Sequence, residues 1–285
     1  MAARARRGGR ADPARRGRPV VGHRAPHGHR ELDEAGTAAL TAFARSAGLT
    51  LNTVVAGAWG LVLRVLTGRD DVVFGTTVSG RPADLPGAAS MIGLFINTVP
   101  VRVRTRPDET FAALLTRLQG EQADLLDHQH LGLSAIQKAV GAGELFDTLA
   151  VFENYPFDAE GVTEAAPGLR MTDVTGGDAT HYPLTLTVLP GARLRFDVGH
   201  RPDVVDTAAA TAIADRLTAL LTAVAADPGA PVARLDLLAD AERARVLVDW
   251  NDTATDAPTA LVPHVFAAQA ARTPDATALV AGRPG

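Results

Sequence analysis

Two pairs of histidines lie close together in this sequence and are the first candidates for acid–base or metal chemistry. One glycine separates His27 from His29, and one glutamine separates His128 from His130. Side chains at positions i and i+2 diverge on a helix and share a face only on a strand, so neither pair has the spacing of helical metal ligands. The second pair directly follows an amphipathic stretch. The pair therefore predicts either imidazole groups that stabilise a helix C-terminus through the helix dipole or side chains that belong to a functional site.

A serine and an arginine offer the other chemistry. Ser79-Gly80-Arg81 places a hydroxyl and a guanidinium side by side after a short apolar stretch. The sequence has no Gly-x-Ser-x-Gly nucleophile elbow and no glycine-rich phosphate loop. It also has no cysteine, which excludes disulfides and thiolate metal sites and disfavours an extracellular protein. These patterns alone predict a cytoplasmic α/β domain with no catalytic, cofactor-binding or metal-binding residue.

The charge is distributed unevenly along the chain. The first 30 residues hold nine arginines and a single acidic residue, Asp12, whereas the whole chain has a formal net charge of -4. This segment has no lysine, serine or aromatic residue, which disfavours both a nucleic-acid-binding arm and a transit peptide. Because nothing downstream resembles a nucleic-acid-binding module either, we expect no nucleic-acid partner. No run of 18 apolar residues occurs, so we expect no membrane span. Residues 1–29 are predicted to be a disordered basic leader with little apolar area to bury.

Hydrophobic periodicity predicts helices and short strands beyond Asp33, which is placed to cap the first helix. The apolar stretch 50–66 predicts a buried helix ended by Gly68. Strands are predicted at 72–75, 95–103 and 146–152, and a hairpin at 184–188 and 194–198. A further helix is predicted after its cap, Asp108, with an inward face of Phe111, Leu114, Leu115, Leu118 and Leu125. The last predicted helix of this region has an inward face of Ile213, Leu217, Leu220, Leu221 and Val224. This order predicts a mixed α/β architecture in which helices cover a mixed sheet.

Five segments occur in a recognisable order. Leu66-Thr67-Gly68-Arg69-Asp70-Asp71-Val72-Val73-Phe74-Gly75 leads into Val78-Ser79-Gly80-Arg81-Pro82, and Met91-Ile92-Gly93-Leu94-Phe95-Ile96-Asn97-Thr98 comes next. With three further segments, these residues resemble the second half of nonribosomal peptide synthetase condensation domains, whose pattern at 92–98 is Ile-Gly-x-Phe-x-Asn-Thr. His128-Gln129-His130-Leu131-Gly132-Leu133 resembles His-Gln-Asp-x-Pro-Phe, departing from it at His130 and Gly132. Leu145–Pro156 and Tyr182–Leu186 continue the likeness. The tail, at Trp250-Asn251-Asp252-Thr253 and Phe266–Gln269, resembles the opening of an adenylation domain.

The resemblance implies a chloramphenicol-acetyltransferase-like lobe and amide formation between thioesters carried on the phosphopantetheine arms of peptidyl carrier proteins. It implies that Ser79, Gly80, Arg81, Asn97, His128, Gln129, Asn154 and Tyr155 line the substrate tunnel. Asn97 is alternatively a buried tie between loops, Arg81 alternatively holds its own loop through backbone carbonyls, and Gly93 and Phe95 are expected in the core. No cofactor is expected to be bound covalently.

The family's catalytic motif, His-His-x-x-x-Asp-Gly, does not occur in these residues. We therefore expect no catalytic residue here and no activity from the isolated chain, because a general base contributes on the order of 10²–10⁴-fold. The expected division is a leader at 1–29, a C-terminal lobe at 30–240, a linker at 241–260 and a truncated adenylation start at 261–285. Alternatives are a non-catalytic carrier-docking module, a partner of a separately encoded N-terminal lobe, or an epimerization lobe, which the adenylation-like tail disfavours.

Overall fold

Six strands form one mixed sheet in the computed structural model, which describes residues 27–81, 85–88, 90–141, 143–153, 180–254, 260–280 and 282. The strands are β1 (His27–Leu32), β2 (Asp71–Val78), β3 (Asn97–Arg104), β4 (Thr148–Phe152), β5 (Leu184–Leu189) and β6 (Leu194–His200). Their order across the sheet is β1-β6-β5-β4-β2-β3. Strand β4 runs parallel to both β2 and β5, and the other neighbours are antiparallel. The predicted mixed sheet is confirmed.

Helices within residues 34–226 cover this sheet. They are α1 (Glu34–Ser46), α2 (Leu51–Thr67), α3 (Phe111–Ala123), α4 (Leu133–Val140) and α5 (Thr207–Ala226). The chain continues with α6 (Asp240–Leu247) and α7 (Val262–Arg272). Two predicted helix ends are confirmed: the carboxylate of Asp33 accepts from the backbone N–H of Gly36, and Gly68 closes α2 at φ 68°. The packing divides the chain into one compact unit that ends at Ala239 and another that begins at Asp240.

The core lies between one face of the sheet and helices α2 and α5. Strands β5 and β6 alternate as predicted, with Leu186, Val198 and Phe196 wholly buried and Thr185 and Thr187 half-buried on the other face. Helix α5 has the length and mean hydropathy, 1.4, of a membrane span. Seven of its side chains are buried, as expected for an amphipathic helix packed on a core.

Strand β1 corrects the expected onset of the lobe. Residues 27–29, assigned to the disordered leader, pair with β6 in a regular antiparallel register from His27↔Gly199 to Leu32↔Leu194. The strand lies at the sheet edge and carries charged residues, as edge strands often do, so its sequence lacks the alternation of a buried strand. Gly28 also allows close approach of α5, because a Cβ there would lie 3.0 Å from the carbonyl oxygen of Ala210.

Several predicted boundaries move by a few residues. Thr110, and not Asp108, caps α3, because its Oγ1 accepts from the backbone N–H of Ala113 at 3.2 Å. Leu125 lies beyond the end of that helix and is 48% exposed. Strand β3 begins two residues later than predicted, at Asn97, and the stretch assigned as a linker begins with helix α6.

Candidate functional site

The end of β2 and the start of β3 bring most of the predicted tunnel residues to one edge of the sheet. Val78, the last residue of β2, is the register partner of Asn97, the first residue of β3. Ser79-Gly80-Arg81 continues directly from this pair. The carboxyl ends of parallel strands meet at the same edge, and such edges are where ligands bind in α/β sheets. Parallel strand β4 ends there too, but Asn154 and Tyr155, which follow it, lie outside the described residues.

Position 80 needs a glycine, both for its backbone conformation and for the space around it. Its φ is 60°, in the left-handed region, and a Cβ at this position would overlap the carbonyl oxygen of Phe95. The same Cβ would lie 3.5 Å from the Cβ of Asn97. The chain therefore folds back on itself tightly between the end of β2 and the start of β3.

Arg81 holds this loop together. Its Nη1 donates to the backbone carbonyl of Ala88 and, at 3.0 Å, to that of Met91. Its guanidinium lies 4.4 Å from the centroid of the Phe95 ring, a cation–π arrangement. The structure thus has the loop-holding contacts foreseen as the alternative for Arg81, and a tunnel-lining role for it stays a prediction. The expectation of a core position is wrong for Gly93, which is exposed, and Phe95 is only half-buried beneath Arg81.

Asn97 ties the start of β3 to the turn that follows α3. Its Nδ2 donates to the backbone carbonyls of Gln129 at 2.8 Å and Leu131 at 2.7 Å. Both amide protons are therefore used, each on a carbonyl more than 30 residues away in sequence. The predicted role of Asn97 as a tie between loops agrees with these contacts, although its side chain is half-buried and not fully buried.

His128 and Gln129 lie in that same turn. His128 ends the 3₁₀ helix Leu126–His128, its side chain is exposed, and Gln129 beside it is half-buried. His130 is exposed as well. Among the described residues, the imidazole of His128 takes part in no hydrogen bond, so neither of its two predicted roles gains a contact. The structure therefore brings together Ser79, Gly80, Arg81, Asn97 and Gln129, with His128 at the margin.

An aromatic cluster near the same strands was not foreseen. The rings of Phe146 and Tyr182 lie 5.7 Å apart, and those of Tyr182 and His181 lie 4.1 Å apart. Phe146 covers Gly75 of β2, where a Cβ would lie 2.8 Å from its Cζ. Burial, and to a smaller extent the negative charge of Glu144, raises the pKa of the Tyr182 phenol. The Phe74-Gly75 pair is a sequence signal for such close packing, but it does not identify the partner ring.

The geometry at this edge supports positioning of a ligand more than proton transfer. A histidine–carboxylate pair does occur in the described chain, with His29 Nδ1 2.9 Å from Asp197 Oδ1. It lies on β1 and β6, and β1 is four strand positions from β2, which strand spacing converts to roughly 19 Å. Within the described ranges, no group of three or more histidine or acidic side chains is arranged to hold a metal ion.

Comparison with known proteins identifies the family of this chain. The family model for the condensation domain matches residues 18–247. A linear gramicidin synthase of Brevibacillus parabrevis is 42% identical over 259 residues, which are 88% of this chain and 5% of that protein. The chain therefore spans a small fraction of the length of this relative.

Two solved structures share the fold over about half of their own length. The first condensation domain of the calcium-dependent antibiotic synthetase, in complex with a substrate analogue, has a TM-score of 0.61 and 23% identity, and the match covers 75% of this chain and 47% of that one. The X-domain from teicoplanin biosynthesis, in complex with OxyB, has a TM-score of 0.64 and 25% identity, covering 79% and 51%. The family predicted from the five motifs is thus confirmed: the chain belongs to the condensation-domain family of nonribosomal peptide synthetases.

Proposed function

We propose that this chain provides the C-terminal lobe of an amide-forming condensation domain. Its substrates would be aminoacyl or peptidyl thioesters on the phosphopantetheine arms of peptidyl carrier proteins, brought together in the cytoplasm for secondary-metabolite synthesis. The observation that carries this proposal is the family match over residues 18–247, joined to the Ser79–Asn97 cluster at the ligand-binding edge of the sheet. The chain itself binds no covalent cofactor in this proposal, and the arm arrives with the carrier protein.

The residues at the edge would position the thioesters, and the general base would come from elsewhere. Gly80, Arg81 and Asn97 shape the loops of this edge through backbone contacts. Gly80 and Asn97 have no basic side chain, and the guanidinium of Arg81 already donates to backbone carbonyls, so none of them is a candidate general base. The His-His-x-x-x-Asp-Gly motif does not occur in these 285 residues. We therefore propose that an N-terminal lobe carrying this motif supplies the base and the second wall of the tunnel.

An exposed apolar segment supports pairing with a second lobe. Ile92, Leu94 and Ile96 recur at every second position before β3 and are 104%, 93% and 65% exposed. Clustered apolar side chains in contact with water are typical of a surface that binds another protein surface. This segment belongs to the loop held by Arg81, which lies beside the proposed tunnel wall. We call residues 91–96 the apolar segment.

A reconstitution assay tests the proposal. Two loaded carrier proteins are incubated with this chain alone, with a separately produced N-terminal lobe that carries His-His-x-x-x-Asp-Gly, and with both together. We expect amide product above the uncatalysed background only when both lobes are present. Turnover by this chain alone would contradict the assignment of the base to the other lobe. Absence of product from the two lobes together, with both folded, would contradict the amide-forming role.

A carrier-docking module without chemistry is the second candidate. It is favoured by one comparison, the teicoplanin X-domain, which has this fold and was solved as a complex with another protein, OxyB. This candidate predicts that the chain binds carrier proteins with the same affinity whether or not the N-terminal lobe is present. Amide synthesis by the two lobes together would reject it.

The end of the chain is proposed to open an adenylation domain. Helix α7 has no buried side chain among the described residues, and Val262 and Phe266 are 81% and 63% exposed. An amphipathic helix with its apolar side chains in water is expected to bury them against a partner segment. Addition of the following adenylation residues from a related synthetase should protect the amides of α7 from hydrogen exchange, and unchanged exchange would contradict the assignment.

A further inference from the structure

A cleft of about 260 Å³ opens on the helix side of the sheet, beside the predicted tunnel edge. Three elements form it: the first turn of α2, the last turns of α3 and the paired ends of β2 and β3. Gln129, held in place through the Asn97 contact to its backbone carbonyl, contributes to its rim. We call this feature the carboxamide cleft.

Its lining combines carboxamides with an apolar wall. Asn52, Gln122 and Gln129 present side-chain amides, and Val78, Val99 and Leu126 present aliphatic groups. Among the described residues, no acidic or basic side chain lines the cleft. A charged ligand would therefore lose hydration without finding a counter-charge, which disfavours it relative to a neutral one.

One carboxamide in the wall has a structural role, and the other three do not. The Oε1 of Gln119 accepts from the backbone N–H of Thr50 at 2.8 Å and from Thr53 Oγ1 at 3.1 Å, and its Nε2 donates to the carbonyl of Gly48 at 2.8 Å. These contacts fix α3 against the start of α2. The side chains of Asn52, Gln122 and Gln129 take part in no hydrogen bond within the described part of the chain, so their donors and acceptors are available to a ligand.

Each free carboxamide both donates and accepts, which is the complement of a secondary amide. The aliphatic wall suits the short carbon segments between amides. The volume lies just below the roughly 300–1,000 Å³ of drug-sized pockets, so the ligand is a small fragment. We propose that the carboxamide cleft binds a neutral ligand that carries one or two secondary amides joined by a short aliphatic segment.

Two sources have this chemistry, a peptide backbone and the two-amide arm of pantetheine. The second source rests on the proposed function, whereas the first does not. Three probes separate these cases: pantetheine, the neutral dipeptide N-acetylglycyl-alanine methyl ester, which carries two secondary amides, and the same dipeptide with a free C-terminal carboxylate. The full chain is labelled with ¹⁵N, and the side-chain NH₂ signals are followed by NMR as each probe is added.

We expect the NH₂ signals of Asn52, Gln122 and Gln129 to shift with at least one neutral probe, while the signal of Gln269 on α7 stays in place. The neutral probe that binds more tightly identifies the source. The carboxylate probe should bind at least several-fold more weakly than the neutral dipeptide. Equal binding of the two dipeptides, or no selective shift at millimolar concentrations of any neutral probe, would overturn the proposal.

Matched variants locate the binding. Gln122→Met removes one donor–acceptor pair with little change in volume and should weaken binding about three- to tenfold, the loss of one hydrogen bond. Gln137→Met on α4, outside the cleft, should bind like the original chain. Asn52→Ala provides a second test, because this side chain is exposed and its loss should leave the melting temperature unchanged. Unaltered affinity in both cleft variants would contradict the site. The binding test and the amide-synthesis assay measure different quantities, so the cleft proposal and the proposed function can each fail without the other.

Discussion

At the scale of single residues, the candidate site at the end of β2 and the start of β3 depends on polar side chains that contact backbone carbonyls. Arg81 holds the carbonyls of Ala88 and Met91, and Asn97 holds those of Gln129 and Leu131. Loops contain many carbonyls without partners in a sheet or helix, and donors from side chains satisfy them. These residues therefore act on the site by fixing the shape of its loops.

Replacement of Asn97 by alanine should destabilise the chain. The variant loses two hydrogen bonds at a half-buried position, so we expect the free energy of unfolding to fall by about 1–3 kcal/mol. Chemical denaturation measures this. Asn52→Ala is the matched control, because its side chain is exposed and should change the free energy by less than about 0.5 kcal/mol. Equal effects of the two substitutions would contradict the role of Asn97 as a tie.

Alanine substitutions at two glycines with positive φ distinguish backbone strain from steric overlap. Gly80 and Gly87 have φ of 60° and 79°, but only the Gly80 position would place a Cβ onto a carbonyl oxygen, whereas at Gly87 the nearest atom is Ser90 Oγ at 4.0 Å. Alanine at Gly87 should cost about 1 kcal/mol of backbone strain. Alanine at Gly80 should cost clearly more. Comparable melting temperatures for the two variants would contradict the close contact with Phe95.

At the scale of elements, close packing depends on glycine in a buried helix. Helix α2 is buried along most of its length, and Gly57 and Gly60 lie three residues apart on it. A Cβ at Gly60 would lie 2.7 Å from the side chain of Val103 on β3. Because β-branched Val103 is stiff, the helix approaches β3 closely only with glycine at this position.

Alanine substitutions in α2 and α3 should therefore have opposite signs. Gly60→Ala should destabilise the chain by about 1–3 kcal/mol, since the extra methyl overpacks the core. Gly120→Ala in α3 has open space around its Cβ and should stabilise the chain by about 0.5–1 kcal/mol through helix propensity. Thermal or chemical unfolding of the two variants checks both signs, and stabilisation by Gly60→Ala would contradict the packing.

The β2–β3 pair also carries a pH-dependent contribution. The hydrogen bond from Arg102, whose charge is assisted by that of Arg104, holds the pKa of Asp71 below its usual range. Because the folded pKa is lowered, the stabilisation is complete above the unfolded value of about 3.9 and is lost as pH falls through the folded pKa. Both side chains are about half exposed, so we expect Asp71→Asn to cost well below 1 kcal/mol at pH 7.

The difference between Asp71→Asn and the original chain should shrink below pH 4 and in 1 M salt. Urea denaturation at pH 7 and at pH 2.5 measures it. A difference that grows on acidification would contradict the assignment of the ion pair, because a group with a lowered folded pKa loses its contribution when it is protonated.

At the scale of the whole molecule, the apolar segment is the feature that bears on the proposed second lobe. Ile92 and Leu94 are almost fully exposed, so they contribute little to the stability of this chain. A second lobe that covers them would bind the folded chain in preference to the unfolded chain and raise its melting temperature.

We expect an excess of the N-terminal lobe to raise the melting temperature of this chain. Ile92→Ser combined with Leu94→Ser should leave the melting temperature of the chain alone unchanged and remove the increase caused by the other lobe. Leu247→Ser on α6 is the control, because this exposed side chain (62%) lies outside the apolar segment and its loss should leave the increase in place. An unchanged melting temperature in the presence of excess N-terminal lobe would contradict the placement of the tunnel wall.

The sequence by itself determined the elements whose causes are local. The Asp33 cap, the left-handed Gly68, the β5–β6 alternation and the apolar face of α5 follow from side-chain periodicity within a few residues, and all are present in the structure. The ordered motifs likewise predicted the family, and the order of the elements predicted the mixed sheet.

Tertiary structure alone decided the features whose partners lie far away in sequence. Strand β1 is a strand because β6, more than 160 residues later, supplies its hydrogen bonds, while its own charged residues show no strand pattern. Helix α3 and the turn after it fold onto the end of the β2–β3 pair. This packing lets Asn97 connect the start of β3 to the turn, and it also forms the carboxamide cleft. Local propensity carries no information on such pairings, because they depend on how separate elements pack around one core.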